Sequence, residues 1–409
     1  MPELNTGDTA FVLLCAALVL FMTPGLALFY GGMVRRKNVL GTIMHSFFII
    51  GVVTIVWATV GYSLAFGPDH GGLIGDLSWV GLNGVGAEAN KDYAATIPHL
   101  AFMIFQCMFA VITPALITGA FAERIKFRSF LVFIVLWSVL VYSPVAHWVW
   151  GTNGWIRNLG ALDFAGGTVV HISSASAALA AAICVGRRRE FGSSAIMPHN
   201  LPMTVLGAGI LWFGWFGFNA GSALAANGLA ANAFVVTHLA AAAATVSWVA
   251  IEWHHNGKPT TLGAASGCVA GLVAITPASG FVGPMPAIVI GLLAGAACYC
   301  GILLKWKLRY DDALDVVGVH GIGGTLGALL TGVFASKAIN DAGADGLLRG
   351  HPGLVGIQAI AIIVTIIYSF GLSFIILKAL DKIWGLRVDD ESEQIGLDLT
   401  EHGESGYVW

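Results

Sequence analysis

Two histidines, His171 and His320, are the residues best placed to do chemistry in this 409-residue chain. Each lies in an apolar stretch, and each follows a version of the same short phrase. Ala161-Leu162-Asp163 leads into Gly166-Gly167-Thr168-Val169-Val170-His171, and Ala313-Leu314-Asp315 leads into Val316-Val317-Gly318-Val319-His320. Ionisable side chains inside an apolar span are costly and mark function by default. Neutral imidazole both donates and accepts a hydrogen bond. Two linked rings would make a relay that shares one proton and offers polar partners to a small neutral solute. They would disfavour a simple metal cation, which wants oxygen ligands. Against this stands a plain structural role, with the ring nitrogens satisfied by neighbours. A haem ligand pair fits poorly, because two-haem bundles usually carry two ligands per helix and the midspan partners elsewhere are only His45 and His238.

The elements that must position these rings follow from composition. Hydrophobic residues make up 57% of the chain and charged residues 11%, against roughly 25% charged in soluble domains. Lipid must therefore be the main solvent, and the abundant glycine suits helices packed closely in it. Apolar runs long enough to span the hydrocarbon core fall at about 9–33, 39–67, 99–122, 127–149, 164–186, 200–222, 230–253, 261–280, 285–304, 313–335 and 353–382. That makes an all-α membrane protein of eleven spans. The acidic N-terminal segment lacks the basic start of a signal peptide, so the first run reads as a span. The membrane domain covers 1–382, with halves at about 9–186 and 200–335 and a last helix at 353–382. A polar tail at 383–409 follows, and no appended catalytic module is expected.

Five spans per half invert the second half, the plan of many transporters with a site near the midplane. His171 then enters from one side and His320 from the other, each roughly 10 Å deep. Sixteen of the twenty Lys and Arg residues fall at one set of span ends. The positive-inside rule places those ends and the tail in the cytoplasm of an inner membrane, with the N-terminus outside. The six cysteines read as small buried thiols. The net charge of −3 offers no basic footprint for nucleic acid. No metal cluster, nucleophile motif or phosphate loop argues for an enzyme.

PGLALFYGGMVRRKN at 24–38, ITGAFAERIKF at 117–127, AHWVWG at 146–151, GALDFAGGTVVHI at 160–172, PHNLPM at 198–203, GWFGFNAGSALAAN at 214–227, DALDVVGVHGIGG at 312–324 and the tail at 386–407 together resemble the ammonium transporter family, the Amt branch in particular. The resemblance implies an Amt-type fold with a 5+5 inverted repeat, a homotrimer with one pore per subunit, and no cofactor. It assigns Trp150, Ser222 and Phe109 to a site that recruits ammonium at the outer mouth, with Asp163 shaping that site without direct contact. Phe109 and Phe218 become a stacked phenyl gate, with Phe105 as a further aromatic of that region. His171 and His320 become the twin histidines of the pore, and Thr276 and Asp315 are expected near it. Taken singly, each aromatic here reads as packing or an interfacial anchor rather than as part of a site. The tail resembles a segment that docks on neighbouring subunits and on PII-type signalling proteins. The implied mechanism is deprotonation of ammonium, passage of neutral ammonia and separate transfer of the proton. A passive gas channel and a receptor without flux remain rival readings.

Overall fold

The computed structural model describes residues 4–193 and 196–407. Residues 1–3 of the expected membrane domain and 408–409 of the tail lie outside the described residues. Ten helices among the described residues are long and apolar enough to cross a membrane. They are α1 (Thr6–Met33), α2 (Arg36–Phe66), α3 (His99–Ile117), α4 (Phe127–Asn158), α5 (Gly167–Val185), α6 (Leu201–Gly221), α7 (Gly228–Asn256), α9 (Pro284–Leu308), α10 (Val317–Phe334) and α11 (Gly353–Trp384). Between α7 and α9 lies α8 (Thr261–Ile275), a helix of 15 residues. At 1.5 Å per residue it is roughly 22 Å long, short of a core of about 30 Å. The eleven expected spans are thus ten long helices and one short apolar one.

The helix starts are written in the sequence. The side chains of Asn5, Asn200, Asn227 and Thr260 accept from backbone N–H groups in the first turns of α1, α6, α7 and α8, which satisfies donors that have no partner inside the helix. Prolines occupy the first turns of α6 and α9, where a missing N–H costs nothing. The outward face of α11 exposes Ile360, Ile363, Ile367, Ile375 and Ile383, an aliphatic surface matched to hydrocarbon.

Helix α1 runs along α6 in close contact. A Cβ on Gly207 would lie 2.3 Å from the Phe29 backbone nitrogen, and one on Gly214 would lie 2.3 Å from Met22. Only glycine permits this approach, as in other small-residue interfaces in lipid. The other decisive contact is between α5 and α10. Both open with a π-helical turn, Gly167–Ile172 and Val317–Gly321, and each turn carries one of the histidines. A Cβ on Gly324 would sit 3.0 Å from His171 Cβ, so the two helices meet at that ring. Single π-turns inside helices are frequent at functional sites.

The two ends of the bundle differ. One end carries two short hairpins, at 69–75 and 89–98. The other gathers the charged loops and the tail. There Arg188 makes three hydrogen bonds to the Asp311 carboxylate, at 2.7–2.9 Å, and reaches Glu123 at 3.2 Å. Arg35 also holds Glu123, at 2.7 and 3.1 Å. The tail forms two short helices, Asp390–Ile395 and Leu397–Thr400. Its Asp398 accepts from Gly41 N and its Glu401 from Phe127 N, both at 2.8 Å.

The cysteine expectation needs correction. Cys15, Cys107, Cys268 and Cys298 are buried, but Cys184 is half-buried and Cys300 exposed. In an apolar solvent a thiol, which packs as a small hydrophobe, has little reason to face inward.

Candidate functional site

At the hairpin end a cavity of about 460 Å³ opens into the bundle, lined by Phe109, Trp150, Asp163 and Ser222 among others. Three helices and a loop converge there. Phe109 comes from α3, Trp150 from α4, Ser222 from the C-terminal cap of α6, and Asp163 from the loop before α5. The Trp150 Nε1–H donates to the Asp163 carbonyl at 2.9 Å, which fixes the indole plane. Ser222 Oγ donates to the Phe218 carbonyl at 2.9 Å, leaving its lone pairs free to accept.

The Asp163 carboxylate, at the wall of the cavity, is taken up by the first turn of α5. Its Oδ1 accepts from Gly166 N and Gly167 N at 2.8 and 2.6 Å, and its Oδ2 from Thr168 N and Val169 N at 2.8 and 3.2 Å. The Thr168 hydroxyl donates to Oδ2 as well. A carboxylate so placed also complements the positive end of the helix dipole. Its part is to hold the turn that carries His171.

Below the cavity, the Phe109 and Phe218 rings lie 4.2 Å apart at 31°. Phe109 lines this cavity and Phe218 the smaller void beyond it, with Trp150 edge-on to Phe109 at 5.8 Å. Phe105 packs on Phe109 from behind at 5.0 Å. Fully buried, it buttresses Phe109 and lines neither this cavity nor the void beyond.

Past the phenyl pair lies a void of about 10 Å³, lined by His171, His320, Phe218, Trp215, Val170 and Leu26 among others. A site needs roughly 10–15 Å³ to seat one water, so a hydrated ion does not fit. The two rings face each other, centroids 5.3 Å apart at 26°. His320 Nδ1 and His171 Nδ1 are 3.2 Å apart. One nitrogen donates and the other accepts, so the pair holds a single proton between them. His171 Nε2 is buried with no partner, although a buried polar atom left unpaired is costly. His171 also stacks on Trp215 at 5.5 Å and on Phe218 at 6.2 Å. Of the other midspan histidines, His45 packs against Phe130 at 4.3 Å and His238 against Trp212 at 5.3 Å, and neither lines the void.

Two expected pore neighbours stand back from it. Thr276 lies one step behind the void, where its hydroxyl accepts from Trp215 Nε1 at 2.9 Å and donates to the Leu272 carbonyl at 2.8 Å. It thereby sets the indole on which His171 stacks. Asp315 lines neither cavity; it pairs with Lys305 at the tail end. The structural counterpart of Asp163 is Asp312, whose Oδ2 accepts from Val317 N at 2.7 Å in the first turn of α10. The echo of Ala-Leu-Asp aligned the wrong aspartate. The five-residue step to the capped N–H, the same in both halves, was the usable signal.

Known proteins resemble this chain over nearly its whole length. The model of the Ammonium Transporter Family matches residues 10–407. The ammonium transporter of Bacillus subtilis (strain 168) is 56% identical over 99% of each chain. The crystal structure of Candida albicans Mep2 superimposes with a TM-score of 0.91 at 35% identity, over 99% of this chain and 91% of that one. A structure described as a "Sensor Amt Protein" superimposes with a TM-score of 0.88 at 33% identity, over 97% and 98%. With a family match over nearly its whole length and a relative of more than half identical sequence, the chain belongs to the ammonium transporter family.

Proposed function

We propose that this chain moves ammonium across the membrane by recruiting the cation in the outer cavity, removing one proton and passing neutral ammonia by the twin histidines. The observation that carries the reading is the joined pair His171 and His320 beside a void the size of one small molecule. In the outer cavity the Trp150 face contributes about 0.5–2 kcal/mol of cation–π attraction. The Ser222 hydroxyl adds a hydrogen bond to charge of about 1.5–3 kcal/mol. Deeper, a bare cation would cost several kcal/mol even after relaxation, with the imidazoles of His171 and His320 the polar groups among otherwise apolar walls. Loss of a proton removes that cost. Ammonia then passes Phe109 and Phe218, accepting one hydrogen bond and donating others along the imidazoles. The shared proton position between the rings provides a separate path for the proton, so net charge moves. Potassium has no proton to lose and is excluded.

In this reading the hairpin end faces outside and the tail end the cytoplasm, in agreement with the charge bias of the loops. The working unit is a homotrimer. The face of α6 and α7, where Phe213, Phe234 and Val235 are exposed, is apolar enough to seat a second copy. The tail end is the docking face for a PII-type signalling protein. A sensing role, as the name of the "Sensor Amt Protein" says of that structure, is the second reading; it needs binding without flux. Currents on solid-supported membranes with ammonium, methylammonium and potassium separate these readings. Ammonium-evoked current without a potassium response supports the proposal. Fast gas flux without current would replace it with a passive channel, and binding without either with a receptor.

A further inference from the structure

Gln106 lies on α3 three residues before Phe109, so the two share a helical face. It lines the outer cavity beside Phe109, Trp150, Asp163 and Ser222, yet its Oε1 is buried with no hydrogen-bond partner. An amide exchanges its oxygen and nitrogen by a half-turn about the last side-chain bond, and which one faces a site follows from the partners available. With the cavity empty the oxygen gains nothing by facing it. With a cation present it does.

A count of acceptors shows why the oxygen is wanted. Ammonium brings four N–H donors. Ser222 Oγ supplies one acceptor, since its own hydrogen is spent on the Phe218 carbonyl. Phe109 and Trp150 supply ring faces. Both Asp163 oxygens are taken by the first turn of α5, and the Asp163 carbonyl already accepts from Trp150. Asp92 stands exposed at the rim. The Tyr93 hydroxyl donates to the Phe66 carbonyl and accepts from Thr152 N. Gln106 is left as the inner side chain with an unspent acceptor.

We infer that Gln106 is a ligand for ammonium in the outer cavity, its amide oxygen being the second hydrogen-bond acceptor after Ser222, and that it contributes to the preference for ammonium over methylammonium. Two oxygens and two ring faces match the four N–H donors of ammonium, whereas methylammonium has three and leaves one of these four partners unmet. The inference rests on reading the outer cavity as the recruiting site.

The test uses the full-length chain in proteoliposomes, with Gln106→Met and Gln106→Glu beside the wild type. Loss of a hydrogen bond to a charge should raise the half-saturating ammonium concentration of Gln106→Met about tenfold or more, with maximal current near wild type. Methylammonium should be affected less, so the preference narrows. Gln106→Glu keeps the acceptor and should not weaken ammonium. The inference is overturned if Gln106→Met matches wild type in half-saturation and preference, or lowers only the maximal current, the mark of a purely structural role. If Gln106→Met does not reach the membrane, Gln106→Glu decides, because weakened ammonium in that variant overturns the inference. Absence of current in the wild type would defeat the transport reading instead. Calorimetric binding of ammonium in nanodiscs then decides for Gln106, with equal affinity of wild type and Gln106→Met as the overturning result.

Discussion

Replacing Asp163 by asparagine is the sharpest test of how the histidine-bearing turn is held. The substitution keeps size and shape and removes one acceptor oxygen. In the native chain both oxygens are occupied from both sides, Oδ1 by Gly166 N and Gly167 N, Oδ2 by Thr168 N, Val169 N and the Thr168 hydroxyl. An asparagine amide in either orientation sets its NH2 group against two backbone N–H donors. Two charge-assisted bonds are lost at about 1.5–3 kcal/mol each, so the direct loss is about 3–6 kcal/mol. Water from the adjoining cavity repays part, because Asp163 is half-buried and lines that cavity. Asp163→Asn should therefore behave almost as badly as Asp163→Ala, with a clear drop in melting temperature in detergent and ammonium-evoked current reduced at least tenfold, roughly, for each 1.4 kcal/mol that reaches the transport step. An Asp163→Asn protein with wild-type melting and wild-type current would refute the reasoning, since a cap dependent on both oxygens cannot tolerate it.

Other consequences are as concrete. Gly214→Leu should overpack the α1–α6 contact and cost about 1–3 kcal/mol or more, read as a lower melting temperature. Thr276→Val leaves Trp215 Nε1 buried without its acceptor, a cost of about 1–3 kcal/mol, and should lower current more than it lowers expression. Burial raises the carboxyl of Asp312 to about 6, Lys305 opposing and Asp315 adding to the rise. Its folded value stands above the ordinary one, so the protonated form is the stabilising one; that contribution is full at acid pH and is lost as pH rises through about 6. Melting temperature should accordingly step down across that range, and Asp312→Asn, which keeps the oxygen that caps Val317, should flatten the step. At the same end, burial works against the Asp311 and Glu123 carboxylates, but Arg188 with Arg124, and Arg188 with Arg35, outweigh it and hold both below their ordinary range. Their stabilisation is present above that range and lost as pH falls below about 4. An Arg188→Ala variant should show a weaker acid transition in the same melting series.

Much of the architecture was legible because lipid imposes a simple rule: long apolar runs must be helices, and an ionisable residue inside one needs a reason. That rule located the spans and singled out His171 and His320. It misjudged ends, because hydropathy reports depth and not helicity. The run 261–280 stays apolar to the end, but the helix stops at Ile275. Pro277 has no N–H to continue it, and its carbonyl turns to accept from Phe164 N. The run 99–122 likewise outlasts α3, which ends at Ile117 three residues after Pro114. Residue roles that depend on who donates to whom were out of reach. Asp163 and Asp312 cap their helices while Asp315 faces a lysine, and Ala-Leu-Asp looks the same in both halves. Gln106 was passed over because one polar residue in an apolar helix has a bland reading until the cavity beside it is seen.

The most direct measurement is the ammonium-evoked current of the His171→Leu/His320→Leu double variant on a solid-supported membrane, with potassium as the control ion. If linked imidazoles carry the proton while ammonia passes between the phenyl pair and the tail end, the folded variant gives no selective ammonium current. A folded variant that conducts ammonium at the native level and still rejects potassium would show that neither ring is needed.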